Sequence, residues 1–385
     1  MRIGDQEIGI NHPPYVIAEI GVNHDGDVDR ALSLTDAAAE AGADAIKLQF
    51  FETDRLMSKA AKLAAYQKNA GETDPIEMLR RLELTIDEMA LVVQRAHSKG
   101  IHAIVTVFST ELVPIAETLS WDAYKTASPD IVNKPLLEAL MQTGKSMIVS
   151  TGASTMDEVV RAVDWLDSAR NRFAILQCVS SYPVIGVERG FGGITEFTKA
   201  LNVPIGYSDH TKSHRSGKLA VAFGACVLEK HITDDRHRPG PDHAASLLAA
   251  QLSGYIKLAS EGFDWKESIQ RSIDDSVDQM RDGKKLKEYS DAIQHPNPFW
   301  DAIYAVSVSE IIKRVLDCEQ DVRTVSRQSV VSTCDIPAGT TITRDMLTIK
   351  RPGTGILACD LESVIGTTTA QAIEADVPIN ASDLI

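Results

Sequence analysis

Residues 27–50 read DVDRALSLTDAAAEAGADAIKLQF, and they contain two kinds of element in succession. Asp27–Ala41 has apolar residues at the spacing of one face of an α-helix. Gly42 stands where a helix often ends in the left-handed conformation. Ala45–Phe50 is a short apolar run typical of a strand buried on both faces. This stretch predicts a helix that leads through a glycine into a buried strand, as in α/β proteins.

The same pattern recurs along the first 265 residues. Helical periodicity is repeated at Thr85–Lys99, Asn133–Thr143 and Thr155–Arg170, and Gly100, Gly144 and Gly224 also precede apolar runs. Eight strand–helix units predict a parallel (β/α)₈ TIM barrel rather than an open sheet. The predicted strands are Tyr15–Gly21, Ala45–Phe50, His102–Phe108, Ala123–Ser128, Ser146–Thr151, Phe173–Ser180, Pro204–Asp209 and Cys226–Thr233.

Length, charge and cysteine content exclude several classes of protein. The 385 residues suffice for a barrel of about 250 residues and a smaller domain. A net charge of −15 argues against nucleic acid or an anionic membrane as a partner. No apolar run reaches the roughly 20 residues that span a bilayer, and no signal segment opens the chain, so we expect a cytoplasmic protein. Five scattered cysteines without CxxC predict neither a disulfide framework nor a thiolate zinc site.

Polar side chains stand at the C-terminal ends of the predicted strands, where barrel enzymes carry their catalytic residues. A charged residue in a buried strand costs free energy unless it is paired, so clustering at one rim predicts a functional site. The residues concerned are Glu19, Lys47, Gln49, Thr106, Lys125, Ser128, Ser180, Tyr182, Ser208, Asp209, His210, Glu229, Lys230 and His231.

Two histidines and two lysines suggest the chemistry of this rim. His210 and His231 end consecutive strands and are able to converge on one cation, although each alone would suit a strand cap. Lys47 and Lys125, with nearby hydroxyls, predict a cradle for phosphate or carboxylate. A Schiff-base lysine is the competing interpretation, which the histidine pair disfavours. In Arg236–Ser246, the segment after the eighth predicted strand, Asp242 is predicted to be functional, whereas His237 and His243 are predicted to face solvent.

Several strings together resemble the sialic acid synthase family, the phosphoenolpyruvate-dependent nonulosonate synthases. The resemblance covers residues from about 15 to 265 and from about 327 to 385. The matching strings are AEIGVNHDGD (18–27), AGADAIKLQ (41–49), AYKTAS (123–128), STG (150–152), IGYSDHT (205–211), LEKHIT (228–233), RPGPDH (238–243), KRPGTGI (350–356) and VIGTTTAQAIEADVPINASDL (364–384).

This resemblance implies a domain organisation and a reaction. A catalytic TIM barrel is expected over residues 1–265, a helical linker or insertion over 266–327, and a small β-rich antifreeze-like (SAF) domain over 328–385. Phosphoenolpyruvate would condense with an N-acylated hexosamine to give a nine-carbon 2-keto sugar acid and phosphate, with Mn²⁺ or Mg²⁺. A homodimer that exchanges its small domains is expected as well.

The resemblance also implies a role for each matching residue. His210 and His231 would bind the metal, and the catalytic residues would be Glu19, Tyr182 and Asp242. Gln49, Asp130 and Arg351 would contact the sugar, with Arg351 reaching the partner's barrel. The residues that would hold phosphoenolpyruvate are Lys47, Thr106, Lys125, Ser128, Ser180 and Ser208.

Two departures from the family pattern leave the acceptor open. Asp130 stands where the family commonly has Glu, and Ser180 stands where many members have Asn. N-acetylmannosamine, a 2,4-diacetamido-trideoxyhexose of the legionaminic branch and a pseudaminic precursor all remain as acceptors. Other functions to weigh are a phosphoenolpyruvate-condensing synthase acting on an aldose phosphate, a Schiff-base lyase, and a catalytically silent sugar-binding barrel.

Overall fold

Eight parallel strands form the centre of the protein in a computed structural model that describes residues 1–184, 190–264, 266 and 313–385. Each strand pairs with its neighbours in chain order, and the last pairs with both the first and the seventh, which closes the sheet. The strands are β1 (Tyr15–Glu19), β2 (Ala45–Phe50), β3 (His102–Val107), β4 (Ala123–Thr126), β5 (Ser146–Ser150), β6 (Phe173–Cys178), β7 (Ile205–Asp209) and β8 (Val227–Thr233).

The predicted (β/α)₈ barrel is therefore confirmed, with strand ends that agree within two residues. Gly42 and Gly100 end their helices with φ of 88° and 76°, the conformation that the sequence predicted. One helix differs, because the segment predicted over Thr155–Arg170 is helical only over Met156–Trp165 and then forms a 3₁₀ turn, Asp167–Ala169.

The helices lie between successive strands and pack around the barrel. Asp27, Thr85, Asn133 and Thr155 cap four of them with side-chain oxygens that accept from backbone N–H groups. In the described part of the chain, no helix is long and apolar enough to cross a bilayer. The helices are Val28–Glu40, Thr53–Leu56, Ala65–Asn69, Pro75–Arg80, Ile86–Ser98, Val113–Ala116, Lys134–Gln142, Met156–Trp165, Phe191–Ala200, Ser216–Ala222 and residues 252–264.

Alternation along the strands divides the barrel into an apolar floor and a polar rim. In β1, Val16 and Ala18 pack outward with the helices, whereas Ile17 packs in a separate cluster inside the barrel. Ile3 and Ile8 of the N-terminal hairpin belong to that inner cluster and close the floor. Because successive strand residues point to opposite faces, the rim residue two positions after Ile17 also points inward. The floor thus aligns the rim side chains toward one space.

A second, smaller core forms the C-terminal domain. Strands β9 (Ser329–Ser332) and β10 (Leu347–Lys350) pair antiparallel. Short helices complete this domain at Leu361–Val364 and, as single 3₁₀ turns, at Arg344–Met346, Ala358–Asp360 and Ala381–Asp383. Its buried cluster consists of Val330, Ile336, Ile342, Leu347, Leu361, Val364, Ile373 and Ile379.

The segment before this domain is bound to the barrel rim through charged groups. It contains the 3₁₀ turn Asp317–Glu319 and the helix Gln320–Ser326. Arg323 and Arg327 each donate two hydrogen bonds to the carboxylate of Glu158, at 2.7–2.9 Å. Residues 267–312 of the predicted linker lie outside the described residues.

Glu158→Gln is expected to lower the free energy of unfolding by about 3 kcal/mol, because the buried Arg327 and the partly buried Arg323 would lose their counter-ion. Burial alone would raise the pKa of Glu158, but Arg327 and Arg323 outweigh it and hold this pKa well below the ordinary 4.5. The stabilisation is therefore present above pH 4.5 and is lost only as the pH falls through the lower, folded-state pKa. Urea unfolding at pH 7 measures the change, with Glu138→Gln, whose side chain is 41% exposed, as the control. Equal losses in both variants would contradict the prediction.

Candidate active site

One cavity opens at the C-terminal ends of the barrel strands, where the sequence places its candidate residues. Of the fourteen residues to which the resemblance assigns a role, twelve line it, and Glu19 and Asp130 do not. Those two lie buried directly behind the lining, beside Lys47 and Gln328 respectively. The structure thus brings the predicted residues together, while their individual roles stay predictions.

Two lysines and two carboxylates form a buried charge cluster at the centre of the cavity. Glu229 lies between the lysines, with its carboxylate oxygens 3.3 Å from Nζ of Lys125 and 3.8 Å from Nζ of Lys47. Lys47 also pairs with Glu19 and donates to Oγ1 of Thr106 at 2.9 Å. With both carboxylates ionised the charges cancel; an anionic ligand would then compete with Glu229 for the lysines.

Burial and the neighbouring charges shift the pKa values of this cluster in opposite directions. Burial raises the pKa of Glu19 to about 7, against the pull of Lys47. Burial would raise the pKa of Glu229 too, but Lys125 and Lys47 outweigh it and lower that pKa to about 2. Two carboxyls a few ångströms apart therefore differ in their affinity for a proton, which is typical of a site that moves protons.

The predicted histidine pair meets on one side of the cavity. The ring centroids of His210 and His231 are 5.6 Å apart. His210 Nδ1 lies 2.7 Å from the carbonyl oxygen of Val179, to which it donates, so that its Nε2 carries the lone pair. The pKa of His231 is lowered well below its usual value, by burial first and by His210 second. His231 is therefore held in the neutral state that binds a metal, whereas Cys178 outweighs burial and raises the pKa of His210.

A divalent cation fits this donor set. Nδ1 of His231 is buried, has no hydrogen-bond partner, and lies 3.7 Å from a carboxylate oxygen of Asp242. Among the described residues, no group of three or more His, Cys, Asp or Glu is arranged to hold a metal ion. The pair would thus supply two ligands and leave the others to water or substrate, as an open site for Mn²⁺ or Mg²⁺ requires.

Arg351 in the cavity lining, with Asp130 and Gln328 behind it, has buried polar neighbours that lack hydrogen-bond partners. Gln328 Nε2 donates to Asp130 Oδ1 at 2.8 Å and to the carbonyl of Phe108 at 3.0 Å. Arg351 lies over the Phe108 ring, 5.5 Å from its centroid. Asp130 Oδ2, Gln328 Oε1 and Arg351 Nε are all buried without a hydrogen-bond partner. Two acceptors and one donor complement an amide, which offers an N–H and a carbonyl oxygen.

Arg351 enters the cavity of its own chain's barrel. Its backbone N–H donates to Leu56 at 2.8 Å, and its carbonyl accepts from Ser58 N at 3.0 Å. The resemblance predicts this side chain in a partner's barrel instead. The contact within one chain establishes that the docked small domain places Arg351 in the site, and the exchange between subunits stays a prediction.

Aromatic rings extend from the histidines toward the small domain. The Tyr182 ring stacks on His210 with centroids 4.1 Å apart, and the Tyr66 ring lies 4.8 Å from Tyr182. Both tyrosines line the cavity. The sequence predicts a role for Tyr182 but not for Tyr66, which lies in the short helix Ala65–Asn69 and is part of no distinctive motif.

Four further residues at the strand ends show what the alternation of side chains along a strand adds to the sequence prediction. Glu229, which the sequence places at the rim without a specific role, lies two residues before His231 on one strand and therefore on the same inner face. Ser150 ends β5, lines the cavity, and has a buried hydroxyl without a partner. Asp209 and Lys230 alternate with the inner residues and pair outside the barrel at 3.0 Å.

The prediction that His243 faces solvent is wrong, since the side chain is 1% exposed. Its Nδ1 lies 2.7 Å from Thr233 Oγ1, and its Nε2 lies 2.9 Å from Asp25 Oδ1. The histidine therefore connects the loop that carries Asp242 to the loop after β1. No periodicity marks such a contact between two loops.

Comparison with known proteins assigns this arrangement to a family. The sequence profile of the NeuB family matches residues 34–262, and that of the SAF domain matches residues 327–385. The chain belongs to the NeuB family. The predicted resemblance is thereby confirmed, together with the TIM barrel followed by a SAF domain.

Relatives of this NeuB family member are similar over almost their whole length. N,N'-diacetyllegionaminic acid synthase of Legionella pneumophila is 30% identical, covering 94% of this chain and 92% of its own. N-acetylneuraminate-9-phosphate synthase of Homo sapiens is 29% identical, in an alignment that covers 96% of this chain and 92% of the human protein. The crystal structure of SpsE, a spore coat polysaccharide biosynthesis protein of Bacillus subtilis, superposes with a TM-score of 0.77 at 26% identity, covering 100% and 99%. Homologues of this chain are thus nonulosonate synthases, which supports an enzyme.

Proposed function

We propose that the protein condenses phosphoenolpyruvate with an N-acylated hexosamine, such as N-acetylmannosamine or a 2,4-diacetamido relative, to give a nine-carbon 2-keto sugar acid and phosphate. One observation carries the proposal: a buried lysine pair, a histidine pair and Arg351 line a single cavity. Unpartnered atoms of Arg351, and of Asp130 and Gln328 behind the lining, are complementary to an amide. The lysines would bind an anion, a metal held by the histidines would bind a carbonyl oxygen, and the unpartnered atoms would bind an acylamino group.

Lys47 and Lys125 would hold the anionic substrate. Phosphoenolpyruvate carries a phosphate and a carboxylate, and buried ammonium groups bind such oxygens strongly because little water competes with them. Five hydroxyl groups share the cavity with the lysines and would orient the ester for attack. They belong to Thr106, Ser128, Ser150, Ser180 and Ser208, all of which line the cavity.

The reaction forms one carbon–carbon bond and breaks one phosphate ester. C3 of phosphoenolpyruvate attacks the aldehyde carbon of the open-chain sugar, whose oxygen takes a proton. Water then adds at C2, loses a proton, and phosphate leaves as the keto group forms. A divalent cation held by His210 and His231, Mn²⁺ or Mg²⁺, would polarise the aldehyde. Holding both reactants in one cavity removes much of the entropic barrier.

Glu19, Asp242 and Tyr182 are the groups proposed to handle protons and the reacting end of the sugar. With a pKa of about 7, Glu19 exchanges a proton readily near neutral pH and would accept the one that water loses. Burial raises the pKa of Asp242 to about 6. The Tyr182 ring, stacked on His210, would limit the positions open to the sugar.

Phosphate release from phosphoenolpyruvate by metal-stripped protein tests the proposal. Mn²⁺ is added back, N-acetylmannosamine and the diacetamido sugars are supplied in separate reactions, and the mass of the product is measured by mass spectrometry. We expect release that depends on both the metal and one sugar, with a nine-carbon keto acid as product. Release with an aldose phosphate alone would favour the related synthase, and trapping of pyruvate by borohydride would favour a Schiff-base lyase. No release and no trapping would leave a silent sugar-binding barrel.

We also propose a cytoplasmic homodimer in which small domains are exchanged, as in the expectation from sequence. Mixing a Lys47→Ala variant with an Arg351→Ala variant is expected to restore activity that neither has alone. In an exchanged heterodimer, the intact barrel of one chain receives the intact Arg351 of the other. Refolding the two together and measuring phosphate release checks this, with each variant refolded alone as control. If the mixture stays inactive, each small domain closes its own barrel.

A further inference from the structure

Glu319 is a buried carboxylate outside the predicted site that holds two turns of the barrel rim together. Its Oε1 accepts from the backbone N–H groups of Ala153 and Ser180, each at 2.7 Å. Its Oε2 accepts from Leu316 N at 3.0 Å, which closes its own 3₁₀ turn. The residue is 1% exposed, so these bonds form away from water. Charge-assisted bonds to backbone N–H groups are among the stronger hydrogen bonds in proteins.

The two turns that Glu319 joins are those that present hydroxyls to the substrate cavity. Ala153 lies three residues after Ser150. Ser180 donates its backbone N–H to Glu319 and lines the cavity. Between them Gly152 packs so closely that a Cβ there would lie 2.2 Å from Ser180 Oγ and 2.9 Å from Ser128 Oγ. A shift of the Ala153 turn would therefore displace the hydroxyls proposed to hold phosphoenolpyruvate.

Ala153 is also a place where the backbone needs support. Its φ is +52°, a left-handed conformation that a residue with a Cβ adopts at a cost. Glu319 binds its N–H, and Arg323 binds its carbonyl oxygen at 2.5 Å. Both backbone groups of this residue are thus satisfied by the segment that leads into the small domain.

We propose that Glu319 is a positioning residue for phosphoenolpyruvate, acting through the backbone of Ala153 and Ser180. The inference rests on the proposed function. It extends the substrate site to a residue that touches no substrate and that lies on the same segment as the small domain. Residues 313–385 thus supply Arg351 to the end of the cavity that would bind the acylamino group. Through Glu319 they also position the backbone at the end that would bind phosphoenolpyruvate, so docking of the small domain would order both ends of the cavity.

Replacing Glu319 by alanine tests the proposal. Two buried N–H groups would lose their acceptor, and the left-handed turn would relax. A misplacement of about 1 Å costs up to roughly 100-fold, so we expect KM for phosphoenolpyruvate to rise between about tenfold and 100-fold. The KM for the sugar and kcat should change much less. Glu319→Gln keeps one oxygen able to accept both N–H groups and should recover most of the affinity.

Asp317→Asn is the matched control, because it removes one negative charge from the same 3₁₀ turn at an exposed position. It should leave both KM values unchanged. Glu158→Gln serves as a second comparison, since it loosens the same segment without touching Ser180. Thermal melting of every variant checks that the barrel is folded. If the alanine variant instead raises the sugar KM as much as that of phosphoenolpyruvate, Glu319 only docks the small domain and the proposal fails.

Calorimetric titration of the metal-loaded protein with phosphoenolpyruvate, without sugar, separates this proposal from the proposed function. Weaker binding to Glu319→Ala than to wild type supports the positioning role even if no sugar releases phosphate. Equal binding in the two proteins overturns it while leaving the proposed function intact. No binding to the wild type overturns both.

Discussion

Lys125→Met is expected to lower kcat/KM for phosphoenolpyruvate by about 10³-fold, the upper end of the loss when a preorganised donor is removed from an active site. Lys125 is 4% exposed and lies in the cavity with Lys47. Methionine approximates the length of the lysine stem, so the cavity keeps its shape and loses a charge. The lost interaction is one between opposite charges in a place where water screens them little.

Removing Lys125 has a second consequence that must be separated from the first. Glu229 would keep only the more distant Lys47 as a counter-ion, at 3.8 Å, and would itself repel the substrate. The double variant Lys125→Met, Glu229→Gln removes both charges. It should recover stability toward urea, because the unpaired buried carboxylate is gone, but it should not recover kcat/KM.

Steady-state phosphate release measures the effect, with Lys134→Met as the control. Lys134 is a surface lysine that pairs with Glu138 on the same helix, at 3.6 Å. Its replacement should change neither KM nor kcat. A Lys125→Met protein with the kcat/KM of the wild type would show that this lysine balances Glu229 and has no part in binding the anion.

The barrel and its rim were predictable from the sequence because both follow from local periodicity. Helix caps such as Thr85, glycines such as Gly100, and short β-branched runs each act within a few residues. Once the strands are parallel and closed, their C-terminal ends must share one rim. Lys47, Lys125, His210 and His231 could therefore be placed together without knowing any distance.

Contacts between distant segments could not be predicted in this way. Gln328 meets Asp130 across 198 positions of sequence, and Glu319 meets Ser180 across 139. Neither contact leaves a periodic signal, because each partner lies in a turn whose position depends on how the small domain docks. Asp130, which stands where the family commonly has Glu, has an environment that the sequence did not predict. Its carboxylate accepts a hydrogen bond from Gln328 Nε2 at 2.8 Å, and burial raises its pKa to about 7.

Glu19→Gln is expected to lower kcat by about 10²- to 10⁴-fold, the usual contribution of a group that transfers a proton. Glutamine has the same shape and keeps the packing beside Gln49 and Gly21, but it can neither take nor give a proton. Lys47 would still face Glu229 and Thr106, so the KM for phosphoenolpyruvate should change less than kcat. Glu40→Gln, at an exposed helix end, is the control and should behave as the wild type.

The pH dependence distinguishes proton transfer from simple charge balance. Burial raises the pKa of Glu19 to about 7, so its carboxylate forms as the pH rises through 7. If the carboxylate accepts a proton from water, kcat of the wild type rises over the same range, and this rise is absent from Glu19→Gln. A rise near pH 6, where Asp242 titrates, should persist in both proteins. Near-normal turnover in Glu19→Gln would show that Glu19 is only the counter-ion of Lys47, and the proton would then have to be accepted by another group in the cavity.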